Sequence, residues 1–159
     1  MRLSELLNAN AVALRLRAKT KPEALVELVA LLESAHGFRS QGEILDRVTR
    51  REAMMTTGIG NGVAIPHGKA RSVDRMAAAV AVAPQGLDFE SEDGQPVFLL
   101  VLFVSPENDT TLHVRMLANL SRLLKEESVR KGLREADSAN AFLSVIRAAE
   151  TKYLATTSI

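Results

Sequence analysis

Apolar and polar positions follow two different periods along this chain, and the switches between them mark its elements. Val12, Leu14 and Leu16 alternate with Ala13, Arg15 and Arg17, the period-two pattern of a strand with one wet face. Residues 20–23 (TKPE) then carry a capping-box signature, with Pro22 at the first helical position. Leu25, Leu28, Val29 and Leu32 follow at helical spacing, and Gly37 ends the run. The string SQGE at 40–43 repeats the signature and predicts a second helix, with Ile44, Leu45 and Val48 facing in. Residues 56–68, TTGIGNGVAIPHG, break both periods. Glycines at 58, 60 and 62 exclude a regular helix, and residues 63–65 read as a short apolar strand stopped by Pro66.

Residues 77–83 (AAAVAVA) and 97–104 (VFLLVLFV) are apolar throughout, which predicts two strands buried on both faces. Asp93-Gly94 supplies a turn just before the second. The acidic string LDFESED at 87–93 alternates apolar and charged residues and predicts an exposed edge strand. A third helix is expected from Thr110 or Thr111 to about Lys125, and a short helical piece over residues 128–133. A last helix is expected from its cap at Ser138 to Ala149, burying Phe142, Val145 and Ile146. Residues 150–159 show no period and read as a loose tail. Alternating strands and helices, with helices early and late, argue for one three-layer α/β domain over residues 1–150. Its central mixed sheet is flanked by helices on both faces, and residues 151–159 trail behind. Strand order is not legible.

Composition narrows the chemistry. A chain of 159 residues suits one domain, which at that size buries roughly 70% of its unfolded surface. The absence of cysteine removes disulfides and thiolate zinc sites and fits a cytoplasmic protein. The longest uncharged stretch near the N-terminus, Leu6 to Leu14, contains two Asn and is too short and polar for a signal-peptide core or a membrane span, and the strongest apolar run elsewhere, residues 97–104, is of strand length, so membrane insertion is not expected. Twenty basic against nineteen acidic residues give a formal charge of +1, too little for a nucleic-acid-binding field. One Tyr and five Phe make no stacking platform for single strands. A protein or small-molecule partner is the expectation.

His67 is the most unusual residue. It stands between Pro66 and Gly68 in a loop at a strand end, where α/β ligand sites gather. A neutral imidazole there is a competent nucleophile near neutral pH; the alternative is a plain loop histidine. His113 shares a stripe with Leu117, Leu120 and Leu124, which makes it a core histidine by spacing. Its place in the first helical turn would also keep it neutral, able to steady an anion or a ring. His36, before Gly37, reads as a cation at a helix C-terminus. The three histidines stand far apart, with no HExxH, so no metal site is expected. Thr57, Gly58, Gly60, Gly62 and Gly68 are candidates for a backbone phosphate cradle or simply a tight loop. Arg51 is either a solvated helix-end cation or a fork reaching for a phosphoryl group.

Two stretches together resemble a known family. RREAMMTTGIGNGVAIPHGKA at 50–70 and LHVRMLANLSRLL at 112–124 look like the fructose/mannitol type of enzyme IIA of the bacterial phosphotransferase system, which includes the nitrogen-regulatory enzyme IIA proteins. The resemblance extends over roughly residues 3–149. Thr56 stands where the motif often has Ser and keeps the hydroxyl. The resemblance implies a mixed sheet with helices on both faces. It implies that His67 takes a phosphoryl group from the histidine-containing phosphocarrier protein, that His113 supports the phosphohistidine, and that Arg51 holds the phosphoryl group. Neither metal nor cofactor is implied. Gly60, Gly62 and Gly68 are expected to let the partner's active loop approach. The short chain and the GIGNGVAIPHGK string resemble the nitrogen-regulatory branch more closely, which implies regulatory protein targets. The alternative is a sugar-specific enzyme IIA that passes phosphate to an enzyme IIB.

Overall fold

Residues 1–154 are described by a computed structural model. A short helix α1 (Leu3–Leu6) and a 3-10 turn (Ala9–Ala11) lead into β1 (Val12–Ala13), α2 (Lys21–His36) and α3 (Glu43–Met54). Next come β2 (Gly58–Gly60), β3 (Val63–Ala64), β4 (His67–Ala70), β5 (Ala77–Leu87) and β6 (Val97–Pro106). The helices α4 (Thr110–Leu124), α5 (Glu127–Glu135) and α6 (Ala139–Tyr153) close the chain.

The two apolar runs form the centre of a six-stranded sheet ordered β1-β5-β6-β3-β2, with β4 also paired to β6. β5 and β6 are antiparallel, whereas β1 joins β5, and β3 and β4 join β6, in parallel. The sheet is therefore mixed. Alternation along the central strands divides the interior into two cores. Ala77, Ala79, Ala81 and Ala83 with Leu100, Leu102 and Val104 face α2 and α3. Ala78, Val80 and Val82 with Leu99, Val101 and Phe103 face the other way, toward α4 and α6. Both strands are covered on both sides, as their unbroken apolar character predicts.

Of the helix ends read from the sequence, those at Thr20, Gly37 and Ser138 follow the local chemistry and the one at residues 40–43 does not. The Thr20 hydroxyl accepts from Glu23 N at 3.4 Å, and Gly37 closes α2 at φ 72°, a left-handed geometry that favours glycine. The Ser138 hydroxyl accepts from Ala141 N at 3.0 Å. The second capping box does not form as its pattern predicts. Gly42 takes the cap position at φ 91°, and the Ser40 hydroxyl accepts from Ile44 N instead. The Glu43 carboxylate leaves its own helix and accepts from Ser72 N at 2.8 Å and Ser72 Oγ at 2.6 Å, tying α3 to the segment after β4.

Three further expectations are corrected. The strand predicted over residues 12–17 keeps its ladder only at Val12 and Ala13; the chain bends at Leu14 and Arg15 and rejoins β5 through a single bond, from Leu16 N to Val82 O at 2.7 Å. The string at 87–93 is not an edge strand: β5 ends at Leu87, and Phe89 turns fully into the core. The last helix runs past Ala149 to Tyr153, because Glu150 is buried with both carboxylate oxygens 3.4 Å from Ser4 N and Leu154 is also buried. The rest of the predicted tail, residues 155–159, lies outside the described residues.

Candidate active site

Pro66 interrupts the line of strand alongside β6 without ending it. β3 and β4 pair in succession with the same strand, β6. The break falls at Ile65 and Pro66, where proline cannot donate to the ladder. His67 consequently opens β4 in register with Phe103. It is not an exposed loop residue: it is 6% exposed, and its ring stacks on Phe103 with centroids 5.3 Å apart. β6 runs on from Phe103 into α4, which brings His113 into the same cluster. The His113 ring lies 4.8 Å from Phe103 and 5.2 Å from His67, edge-on at 60° to the latter.

Gly68 explains how α3 reaches this point. A Cβ there would stand 3.2 Å from both Val48 N and Val48 Cγ2. The helix backbone packs where a side chain would be, and its Arg47, Arg50 and Arg51 border the opening above His67. That opening, of about 410 Å³, is also lined by Met54, Lys69 and His113. The structure thus brings together three of the anticipated side chains, His67, His113 and Arg51, from β4, α4 and α3. Arg51 Nη1 donates to Met55 O at 2.9 Å, which folds the guanidinium back along the end of α3.

The other glycines of the loop each have a close neighbour within the chain, and none of them lines the opening. Gly58 packs against Ser91, Gly60 against Asp93, and Gly62 against Phe98 and Pro96. Gly68 faces α3, as above. The Thr57 hydroxyl donates to Glu52 Oε2 at 2.5 Å, and Thr57 N donates to Glu52 Oε1 at 2.9 Å. Both donors are therefore engaged with a buried carboxylate that also holds Lys21 Nζ at 2.9 Å. Of the predicted phosphate loop, only Gly68 lines the opening.

Sequence reasoning passed over Arg47, Lys69 and Phe103. Arg47 was detectable as the residue one helical turn before Arg51. Phe103 was not, because its contact depends on sheet register. His36 stands apart from the opening: its Nε2–H donates to Ala78 O at 2.8 Å. Among the described residues no group of three or more His, Asp or Glu side chains is placed to hold a metal ion, and no helix is long and apolar enough to cross a membrane.

Electrostatics favour neutral rings. Burial, above all, lowers the basicity of His67; Arg51 acts in the same direction, and the Ile65 carbonyl and Glu52 oppose it. His113 is pushed down to about 4, first by burial and then by His67, Lys69 and Arg51. The two nitrogens of His67 are not equivalent. Nδ1 lies 2.8 Å from Ile65 O, and a carbonyl only accepts, so Nδ1 carries the hydrogen. In the neutral ring the lone pair is left on Nε2.

Comparison with known proteins points to one family. Residues 5–149 match the family model described as the phosphoenolpyruvate-dependent sugar phosphotransferase system, EIIA 2. The chain is 36% identical over 146 residues to the fructose-specific EIIABC component of Bacillus subtilis (strain 168), an alignment covering 92% of this chain and 23% of that protein. It is 35% identical over 146 residues to a nitrogen regulatory protein of Bradyrhizobium diazoefficiens, covering 92% of this chain and 95% of the relative. The crystal structure of nitrogen regulatory protein IIA-Ntr from Neisseria meningitidis superposes with a TM-score of 0.83 at 27% identity, over 90% of this chain and 97% of the other. Because the family model takes in the whole sheet and both histidine-bearing segments, the chain belongs to the EIIA type 2 family of the phosphoenolpyruvate-dependent sugar phosphotransferase system.

Proposed function

We propose that this protein carries a phosphoryl group on Nε2 of His67, received from the histidine-containing phosphocarrier protein. The observation that carries this reading is the bond from His67 Nδ1 to Ile65 O at 2.8 Å. It leaves Nε2 as the nucleophilic atom of a neutral ring, beside an opening rimmed by cationic side chains. In the transfer step a P–N bond forms at Nε2 while the donor's P–N bond breaks. The electron pair of the breaking bond returns to the donor ring, which enters protonated on its other nitrogen and leaves as neutral imidazole. The Nδ1 proton stays against Ile65 O, so the charge gained by the His67 ring is shared with that carbonyl. Phosphoryl transfer has a loose transition state, and positioning and charge stabilisation supply most of its catalysis. Arg51 offers the charge, and His113 offers a neutral donor at the ring edge.

The cellular role we favour is regulatory. Its support is the resemblance of the GIGNGVAIPHGK segment to the nitrogen-regulatory branch and the alignment with a nitrogen regulatory protein along 95% of that relative. On this reading, two negative charges arriving at the opening change which protein targets bind. The fructose-specific relative at 36% identity supports the second reading, transfer to an enzyme IIB.

The test is incubation with purified, already phosphorylated phosphocarrier in excess chelator, followed by intact-mass measurement. Wild type is expected to gain one phosphoryl group and His67→Ala none. A folded His67→Ala variant that gains phosphate stoichiometrically overturns the assignment.

A further inference from the structure

We propose that Ser105 is a positioning residue that keeps the proton of His113 on Nε2, so that this nitrogen donates to a phosphoryl oxygen on His67; the second half of this rests on the phosphocarrier reading above. Ser105 lies in β6, two positions beyond Phe103 and in register with Lys69 of β4. It is fully buried, at 0% exposure. Its hydroxyl oxygen is 2.5 Å from His113 Nδ1, and among the described residues it has no other hydrogen-bond partner.

Two proton arrangements fit that distance. With the proton on Nδ1, the ring donates to Ser105 Oγ, and the hydroxyl hydrogen is then buried with no acceptor. With the proton on Nε2, the hydroxyl donates to the Nδ1 lone pair and every group at the contact is satisfied. An orphaned buried donor is the costlier state, so Ser105 selects the Nε2–H form. The nitrogen that bonds the neighbour decides which one carries the proton.

The choice matters because a neutral imidazole has a single N–H, and His113 is held neutral by its surroundings. Nε2 is the ring's remaining polar atom, and His113 lines the opening together with His67. Carrying hydrogen, Nε2 donates to an anionic oxygen; without hydrogen, it turns a lone pair toward that oxygen. Ser105 thereby makes a neutral ring useful to a dianion.

Nitrogen-15 NMR of the imidazole rings in the full chain at neutral pH tests this directly. Wild-type His113 is expected to show a protonated Nε2 and an accepting Nδ1. In Ser105→Ala, the Nδ1–H form is expected to appear and phosphoryl gain to slow about tenfold, with His67 still the residue modified. Ser105→Thr keeps a hydroxyl and is expected to keep the wild-type tautomer. A proton on Nδ1 in wild type overturns the proposal, and this spectrum decides the matter even where a variant fails to fold. An unchanged tautomer and an unchanged rate in folded Ser105→Ala also overturn it. The tautomer is read on unphosphorylated protein, which separates the two readings. Wild type that shows Nε2–H but gains no phosphate removes the phosphocarrier role and leaves Ser105 as assigned. Wild type that gains phosphate but shows Nδ1–H removes the Ser105 assignment alone.

Discussion

Arg51 and His113 border His67 from opposite elements and make opposite demands on a substitution. Arg51 is partly exposed, and among the described residues its guanidinium bonds only to Met55 O at the end of its own helix, so its loss costs little packing. Removing one preorganised positive donor at such a site typically raises the barrier by ~3 kcal/mol. Arg51→Ala is therefore expected to slow single-turnover phosphoryl gain about a hundredfold, with thermal stability near wild type. Equal rates in a rapid-quench experiment return Arg51 to the role of a solvated helix-end cation. His113 is 7% exposed and stands among Phe103, His67 and Ser105. His113→Gln keeps a donor of similar reach but fits the site less well, at a cost of about 1–2 kcal/mol. The variant is expected to accept phosphate on His67 and to gain and lose it at altered rates. Equal rates in both directions leave His113 as a packing residue.

At the scale of elements, the site exists because one helix packs onto one strand. β4 presents Gly68 to α3, and the close approach to Val48 N at 3.2 Å puts Arg47 and Arg51 over the histidine. The Glu43–Ser72 bonds of 2.6 and 2.8 Å hold the same helix at its other end. Gly68→Ala forces α3 outward, because the nearest atoms include helix backbone that cannot rotate aside. Overpacking of this kind costs about 1–3 kcal/mol. The expected outcome is a lower denaturation midpoint together with slower phosphoryl gain, since Arg51 moves with the helix. A variant with wild-type stability and wild-type rate refutes the view that this contact sets the site.

The whole molecule registers its neutral histidines as a pH dependence of stability. His113 has its ordinary 6.5 in the unfolded chain and about 4 in the fold, and His67 is lowered as well. Between those values the unfolded state binds more protons than the native state, so stability rises with pH through the window. The contribution is complete above about pH 6.5 and is lost as the pH falls toward 4. Glu43, also lowered from its ordinary 4.5, acts in the same direction only at more acid pH. Urea midpoints measured from pH 7 to pH 4.5 are expected to decline, and His113→Gln is expected to flatten part of the decline. Midpoints that rise on acidification contradict the burial of neutral rings.

Much of this protein follows from local pattern. The apolar runs at 77–83 and 97–104 are strands covered on both faces, because nothing polar along them tolerates water on either side. The Thr20 and Ser138 caps and the Gly37 stop bound their helices by chemistry that acts over a few residues. His67, His113 and Arg51 were legible in the motif strings, and the fold brings them to one opening. What tertiary structure decided was every property that depends on a distant partner. His67 is buried against Phe103 because β4 continues past Pro66 along β6, a register that no local pattern encodes. That the glycines approach Val48, Ser91, Asp93 and Phe98 was not legible either, because a missing side chain says that something approaches without saying what. Glu43 abandons its capping box for Ser72, and Glu52 takes up Thr57, because a carboxylate binds whichever donors packing delivers. Even the protonated nitrogen on the His67 and His113 rings is set by Ile65 or Ser105, whose hydrogen bonds exist only once the sheet has assembled.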